Sequence, residues 1–162
     1  MNTQVFLLLG ANLGLVQDNL EQAILLISQQ VGQVVARSSF YKTSPWGNSQ
    51  QPDFLNIALV VNTQLTALKV LSISQSIEKQ LGRVRHEHWG ARTMDIDLLF
   101  FGNNLIDLPT LQVPHPLLAQ RRFVLIPLAE IAPDFVHPVL QLSIQKLLEC
   151  CADQEIVEKL EG

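Results

Sequence analysis

The sequence predicts an α+β domain, an antiparallel sheet packed against helices. Short apolar runs with strand-like alternation recur along the first hundred of its 162 residues. Two stretches with helical apolar spacing fall between them, and glycine- and proline-rich segments mark the joins.

Val5–Leu9 is a continuous apolar run and reads as a strand, followed by Gly10-Ala11-Asn12-Leu13-Gly14 as a turn. Leu20, Ala23, Ile24, Ile27 and Val31 then recur at helical spacing and place a helix near 17–30. Gln33–Lys42 is β-rich around Val34, Val35, Phe40 and Tyr41, and the polar stretch Thr43–Asp53 reads as turn-forming. Phe54–Asn62 is a strand with Leu55, Ile57, Leu59 and Val61 on one face. Val70, Ile73, Ser74, Ile77 and Leu81 outline a second helix that Gly82 stops, with Gln75 and Glu78 on another of its faces. A charged loop over 83–92 leads to a strand holding Asp95 and Asp97, and the proline-punctuated remainder reads as helical and irregular. The order β-α-β-β-α-β is the ferredoxin-like arrangement, an antiparallel sheet with helices on one face, here with additional C-terminal helices. No repeat, low-complexity tract or linker divides the chain, so a single domain over 1–162 is expected.

With 48 % apolar and 16 % charged residues the chain is not of the disordered class. Its apolar runs fall far short of the roughly 20 residues that cross a bilayer. MNTQ carries no basic segment, so a signal peptide is not expected and a cytoplasmic protein is. The two cysteines, Cys150 and Cys151, are adjacent and lack metal-site spacing. A net charge of −4 argues against a nucleic-acid binder. Yet five of the six arginines lie between residues 83 and 122 and all four histidines between 86 and 137, a concentration suited to a small anionic ligand.

Asp95 and Asp97 interrupt the apolar run Met94–Phe101. Alternation puts both on one strand face, about 6.5 Å apart, with Leu99 and Phe101 expected to continue that face. They read either as half-exposed acids, solvated or paired with an arginine, or as a site for hard cations. Magnesium takes one or two carboxylates together with phosphate oxygens and water. Two carboxylates at this spacing could bridge ions about 4 Å apart, as in-line phosphoryl displacement uses. Arg83, Arg85 and Arg92 nearby offer the guanidinium geometry that grips polyphosphate. Neither a Walker pattern nor a dinucleotide fingerprint occurs, so arginines and metal must do the holding. In the loop 41–56, Phe54 is out of phase with the Leu55–Val61 face and could stack on a flat heterocycle, with Asn56 facing the same way to bond its edge.

The run HWGARTMDIDLL, 88–99, resembles the signature of the 6-hydroxymethyl-7,8-dihydropterin pyrophosphokinase family. The likeness extends to LLLGANLG, SSFYKTSPWG, QPDFLN, IEKQLGRVR and VPHPLLAQRRFVLIPLAEIAP, nearly the whole chain. The resemblance implies transfer of pyrophosphate from ATP to the hydroxymethyl oxygen of a reduced pterin, releasing AMP, in folate biosynthesis. It implies that Asp95 and Asp97 hold two magnesium ions and that Arg83 and Arg92 serve the chemical step. Gln75, Glu78, Arg85, His115 and Arg121 match the nucleotide side. Thr43, Ser44, Trp46, Phe54, Asn56 and Phe123 match the pterin side, and His88 and Trp89 the mobile loop. His88 stands where arginine is common in the family, and Ala91 where proline is. A monomer is expected, with neither nucleic acid nor membrane as partner. The rivals are another two-metal enzyme and an RNA-recognition module; the first leaves Phe54, Asn56 and Phe123 without a role, the second conflicts with strand acids and a negative charge.

Overall fold

The computed structural model describes residues 2–12, 14–43, 53–82 and 94–160. Its elements in chain order are β1 (Thr3–Ala11), α1 (Val16–Gln30), β2 (Gly32–Arg37), β3 (Tyr41–Thr43), β4 (Phe54–Thr63) and α2 (Ala67–Gly82). There follow β5 (Asp95–Phe101), β6 (Ile106–Leu108), β7 (Leu111–Val113), a 3-10 turn (Leu118–Gln120), α3 (Arg122–Ile131), α4 (Ile144–Cys150) and β8 (Val157–Lys159). The main sheet runs β5-β1-β4-β3-β8, with β2 also paired to β4, and its ladders are antiparallel. The α+β expectation holds, and the order to β5 is β-α-β-β-β-α-β, one strand more than expected between the two helices. Among the described residues no helix is long and apolar enough to cross a membrane.

Alternation along the strands divides the core in two. Val5, Leu7 and Leu9 of β1, with Ile57, Leu59 and Val61 of β4, pack against Leu20, Ala23 and Ile27 of α1 and Val70 and Ile77 of α2. The intervening residues Phe6, Leu8, Ala58 and Val60 face the other way, onto Leu125 and Leu128 of α3 and Ile144 and Leu147 of α4. The C-terminal helices therefore form a third layer, and a side chain caps one helix on each side of the sheet. Ser143 Oγ accepts from Lys146 N–H at the start of α4 (3.1 Å) and Thr66 Oγ1 from Lys69 N–H at the start of α2 (3.2 Å).

Four details differ from the sequence expectation. Gly10 is not in a turn: it pairs with both Asn56 and Asp95, and the ladder to β4 carries β1 on to Ala11. Gly14, at φ 76°, does occupy the turn conformation that favours glycine. Phe101 does not continue the acid face, because the β1–β5 register shifts by one residue between Phe6↔Phe100 and Leu7↔Leu98. Leu99 stays on the acid side, Phe100 joins it in the second core, and Phe101 turns to the first. Finally, the β-rich stretch 33–42 splits into two strands at Ser38, which still bonds β4 through its N–H to Ala58 O and its Oγ from Ala58 N–H, both 2.9 Å. The hairpin β6–β7 and the edge strand β8 lie in the region read as helical and irregular.

Candidate active site

The third layer covers only part of the second sheet face. Near Leu99, Phe6 and Val60 that face is apolar and closed by α3 and α4. Toward the start of β5 it is polar and forms a cleft of about 520 Å³. The floor of the cleft is a cross-strand row in which Asp95 pairs with Gly10 and Gly10 with Asn56. The next row toward the covered end sets Asp97 beside Leu8. Thr43 and Phe54, paired across β3 and β4, form the far wall. Arg121 and Phe123, at the start of α3, overhang it, the guanidinium carbon 5.6 Å from the ring centre.

Gly10 makes this floor flat. A Cβ there would stand 2.5 Å from Asn56 Oδ1, so the bare glycine leaves room for the Asn56 amide. Asn56 and Thr43 are each 5 % exposed, polar groups held inside the wall rather than on a solvated rim. Asp95 and Asp97 are half-buried on the same face, as alternation requires. From Asp95 to Asn56 is two strand spacings, about 10 Å.

Asp97 also lines a second cavity of about 290 Å³ along the outer edge of β5, together with His115. His115 is fixed by its backbone N–H, which donates to Leu99 O (2.9 Å), and by Nδ1, which accepts from Leu117 N–H (3.3 Å). Burial holds its imidazole below the usual range; the carboxylate of Asp97 pulls the other way and Arg121 adds to the depression. Glu78 sits behind the strand, where Oε2 accepts from Ile96 N–H at 2.7 Å, tying α2 to the backbone between the two aspartates.

The residues expected from the sequence thus fall into three groups. Thr43, Phe54, Asn56, Asp95, Asp97, Arg121 and Phe123 share the larger cleft. His115 joins Asp97 in the second, Glu78 supports β5 from α2, and Gln75 is exposed on α2 one turn earlier, outside the lining of both. Ser44, Trp46, Arg83, Arg85, His88, Trp89 and Arg92 lie outside the described residues. Sequence reasoning missed Leu8, Gly10 and Glu155, which also line the cleft.

The model of the family described as 7,8-dihydro-6-hydroxymethylpterin-pyrophosphokinase (HPPK) matches residues 6–133. The chain belongs to the HPPK family. A relative from Haemophilus influenzae, named 2-amino-4-hydroxy-6-hydroxymethyldihydropteridine pyrophosphokinase, is 40 % identical over 154 residues, 94 % of this chain and 96 % of that one. An HPPK of the same name from Pseudomonas aeruginosa is 39 % identical over 163 residues, 100 % of this chain and 99 % of its own. Among solved structures, Plasmodium falciparum HPPK-DHPS with pteroate superposes with a TM-score of 0.76 at 18 % identity, covering 93 % of this chain. The chain spans 42 % of that longer protein, so the likeness there is one of fold.

Proposed function

We propose that this chain transfers the terminal pyrophosphoryl group of ATP to the hydroxymethyl oxygen of 6-hydroxymethyl-7,8-dihydropterin, releasing AMP, as a monomer in the cytoplasm. One observation carries the reading: the two β5 carboxylates and the set Thr43, Phe54, Asn56 and Phe123 face one cleft. The carboxylates alone suit many phosphoryl-transfer enzymes; a ring site on the same floor specifies the acceptor.

The donor set fits magnesium that arrives with a triphosphate. Among the described residues no three His, Cys, Asp or Glu side chains form a complete cage, and such magnesium needs only one or two carboxylates. Asp95 and Asp97 would hold two such ions, which when bound neutralise phosphate charge and polarise the Pβ oxygens.

The chain's own residues do the positioning. Phe54 from the sheet and Phe123 from α3 offer rings for the pterin faces, while the Asn56 amide can donate and accept along its edge. A pterin anchored at Asn56 directs its hydroxymethyl arm over Gly10 toward Asp95. The span of about 10 Å between these strands is comparable to the ring with its arm. There the hydroxyl oxygen forms a bond to Pβ, the bond from Pβ to the oxygen shared with Pα breaks, and AMP leaves with that oxygen. The hydroxyl proton passes to a base near the carboxylates. Arg121 projects positive charge into the cleft, and His115 beside Asp97 places a hydrogen-bonding imidazole on the nucleotide side. Arg83, Arg85 and Arg92 complete the polyphosphate grip in this reading, and His88 and Trp89 belong to the loop that excludes water. Gln75 and Glu78 act from α2, Glu78 by fixing the Ile96 amide.

Incubation with ATP, magnesium and hydroxymethyl-dihydropterin tests this. AMP that accumulates only when pterin is present is the expected result. Inorganic phosphate released without pterin would indicate a phosphohydrolase instead.

A further inference from the structure

The C-terminal segment, beyond the residues 6–133 that the family model matches, brings one acid into the cleft. Asp153 holds it at one end, because its Oδ2 accepts from Arg122 N–H and its Oδ1 from Glu155 N–H, both at 2.9 Å. A single carboxylate thus joins the start of α3 to the backbone of Glu155. The other end is held by β8, whose Val157 pairs with Thr43, the residue at the cleft wall. Glu155 is two residues before Val157, so strand alternation aims it toward the same side as Thr43. Half-buried there, its carboxylate meets no hydrogen-bond donor or cation among the described residues. Burial, with the Asp153 charge added, holds the Glu155 carboxyl above the usual range. An acid desolvated in a ligand cleft without a donor gains most when the ligand brings one.

We propose that Glu155 is a specificity-determining residue of the ring site, its carboxylate accepting a hydrogen bond from the exocyclic amino group of the pterin. This rests on the pterin reading of the cleft. Glu155 then divides the work with Asn56: the amide suits ring edges carrying both a donor and an acceptor, whereas the carboxylate selects a donor alone. A pteridine with oxygen in place of the 2-amino group would set lone pairs against that carboxylate and be rejected.

The test compares dissociation constants of the 2-amino ring and its 2-oxo counterpart, with magnesium and a non-hydrolysable ATP analogue present, for wild type, Glu155→Ala and the isosteric Glu155→Gln. We expect Glu155→Ala to weaken the 2-amino ring about 10- to 30-fold and the 2-oxo ring hardly at all, collapsing the discrimination between them. Glu155→Gln, which keeps an acceptor oxygen, should restore part of it. The KM for ATP should stay unchanged in both variants. Equal weakening of both rings, or no weakening of either, overturns the role of Glu155 while leaving the cleft assignment in place. Failure of the wild type to bind either ring overturns the cleft assignment, and the Glu155 role with it.

Discussion

The two faces of the sheet are made from the same strands and treat them in opposite ways. The face toward α1 and α2 is apolar along its length, from Val5 and Val61 at one end to Ala11 and Leu55 at the other. The face toward α3 and α4 is apolar for half its length and then becomes Asp95, Asp97, Asn56 and Thr43. The first face holds the strands in register whatever the second one carries. Function can occupy alternate positions of β4 and β5 because their neighbours, Leu55, Ile57, Ile96 and Leu98, already anchor each strand.

The sharpest way to break the comparison is to substitute one residue on each face of the sheet. Asp97→Ala should reduce pterin-dependent AMP release by at least about 10²- to 10³-fold, with no loss in thermal midpoint. Near-normal turnover would contradict the metal assignment. On the other face, Leu59→Ala removes a fully buried side chain and should lower unfolding free energy by about 2–5 kcal/mol in denaturant titrations. The surviving folded fraction should retain its KM for both substrates. Asn56→Ala should raise the pterin KM about tenfold and leave the ATP KM alone, a split that steady-state kinetics in both substrates reads directly.

Smaller effects test how the third layer is attached. Tyr41 Oη donates to Glu130 Oε1 at 2.7 Å, and Ser39 gives that carboxylate two more bonds, from N–H and Oγ, each 2.9 Å. Burial, reinforced by Glu130, holds the Tyr41 phenol well above its usual range, so the tyrosine stays a donor. Tyr41→Phe should cost about 1 kcal/mol of stability, measured by chemical denaturation, because the link between β3 and α3 is loosened. Smallest of all is a pH effect at His137. Its Nδ1 accepts from Val139 and Leu140 N–H, both 3.1 Å, and its ring packs edge-on to Phe100 with centres 5.4 Å apart. Burial holds its imidazole below the usual range. The unfolded chain therefore binds the proton first, and this contribution to stability is lost as pH falls from the ordinary imidazole range through the depressed folded value. His137→Asn, which keeps an acceptor but does not titrate, should flatten the stability profile over that interval.

Where the sequence carried a period, it was readable. The strands around Leu7, Ile57 and Leu98 and the helices around Ile24 and Ile77 follow from apolar spacing that the two faces impose. The lining of the candidate cleft was readable for the same reason. Asp95, Asp97, Phe54 and Asn56 stand out as residues that break the apolar alternation of otherwise buried strands. Gly10 did not, because a glycine beside Asn12 and Gly14 reads as a turn, and only pairing on both sides makes it strand. Strands β6, β7 and β8 have three residues each, too few to show a period. Nothing local in Asp153-Gln154-Glu155 tells that a ladder to β3 brings the segment back across the molecule.

The bare backbone at position 10 limits how this enzyme could escape an inhibitor. A compound joined across the proposed ring and phosphate sites would pass over a residue that has no side chain to alter. Adding one there would drive the Asn56 oxygen from its place. The mutant that evaded the compound would lose its hold on the natural acceptor as well, so resistance would have to arise at the rim.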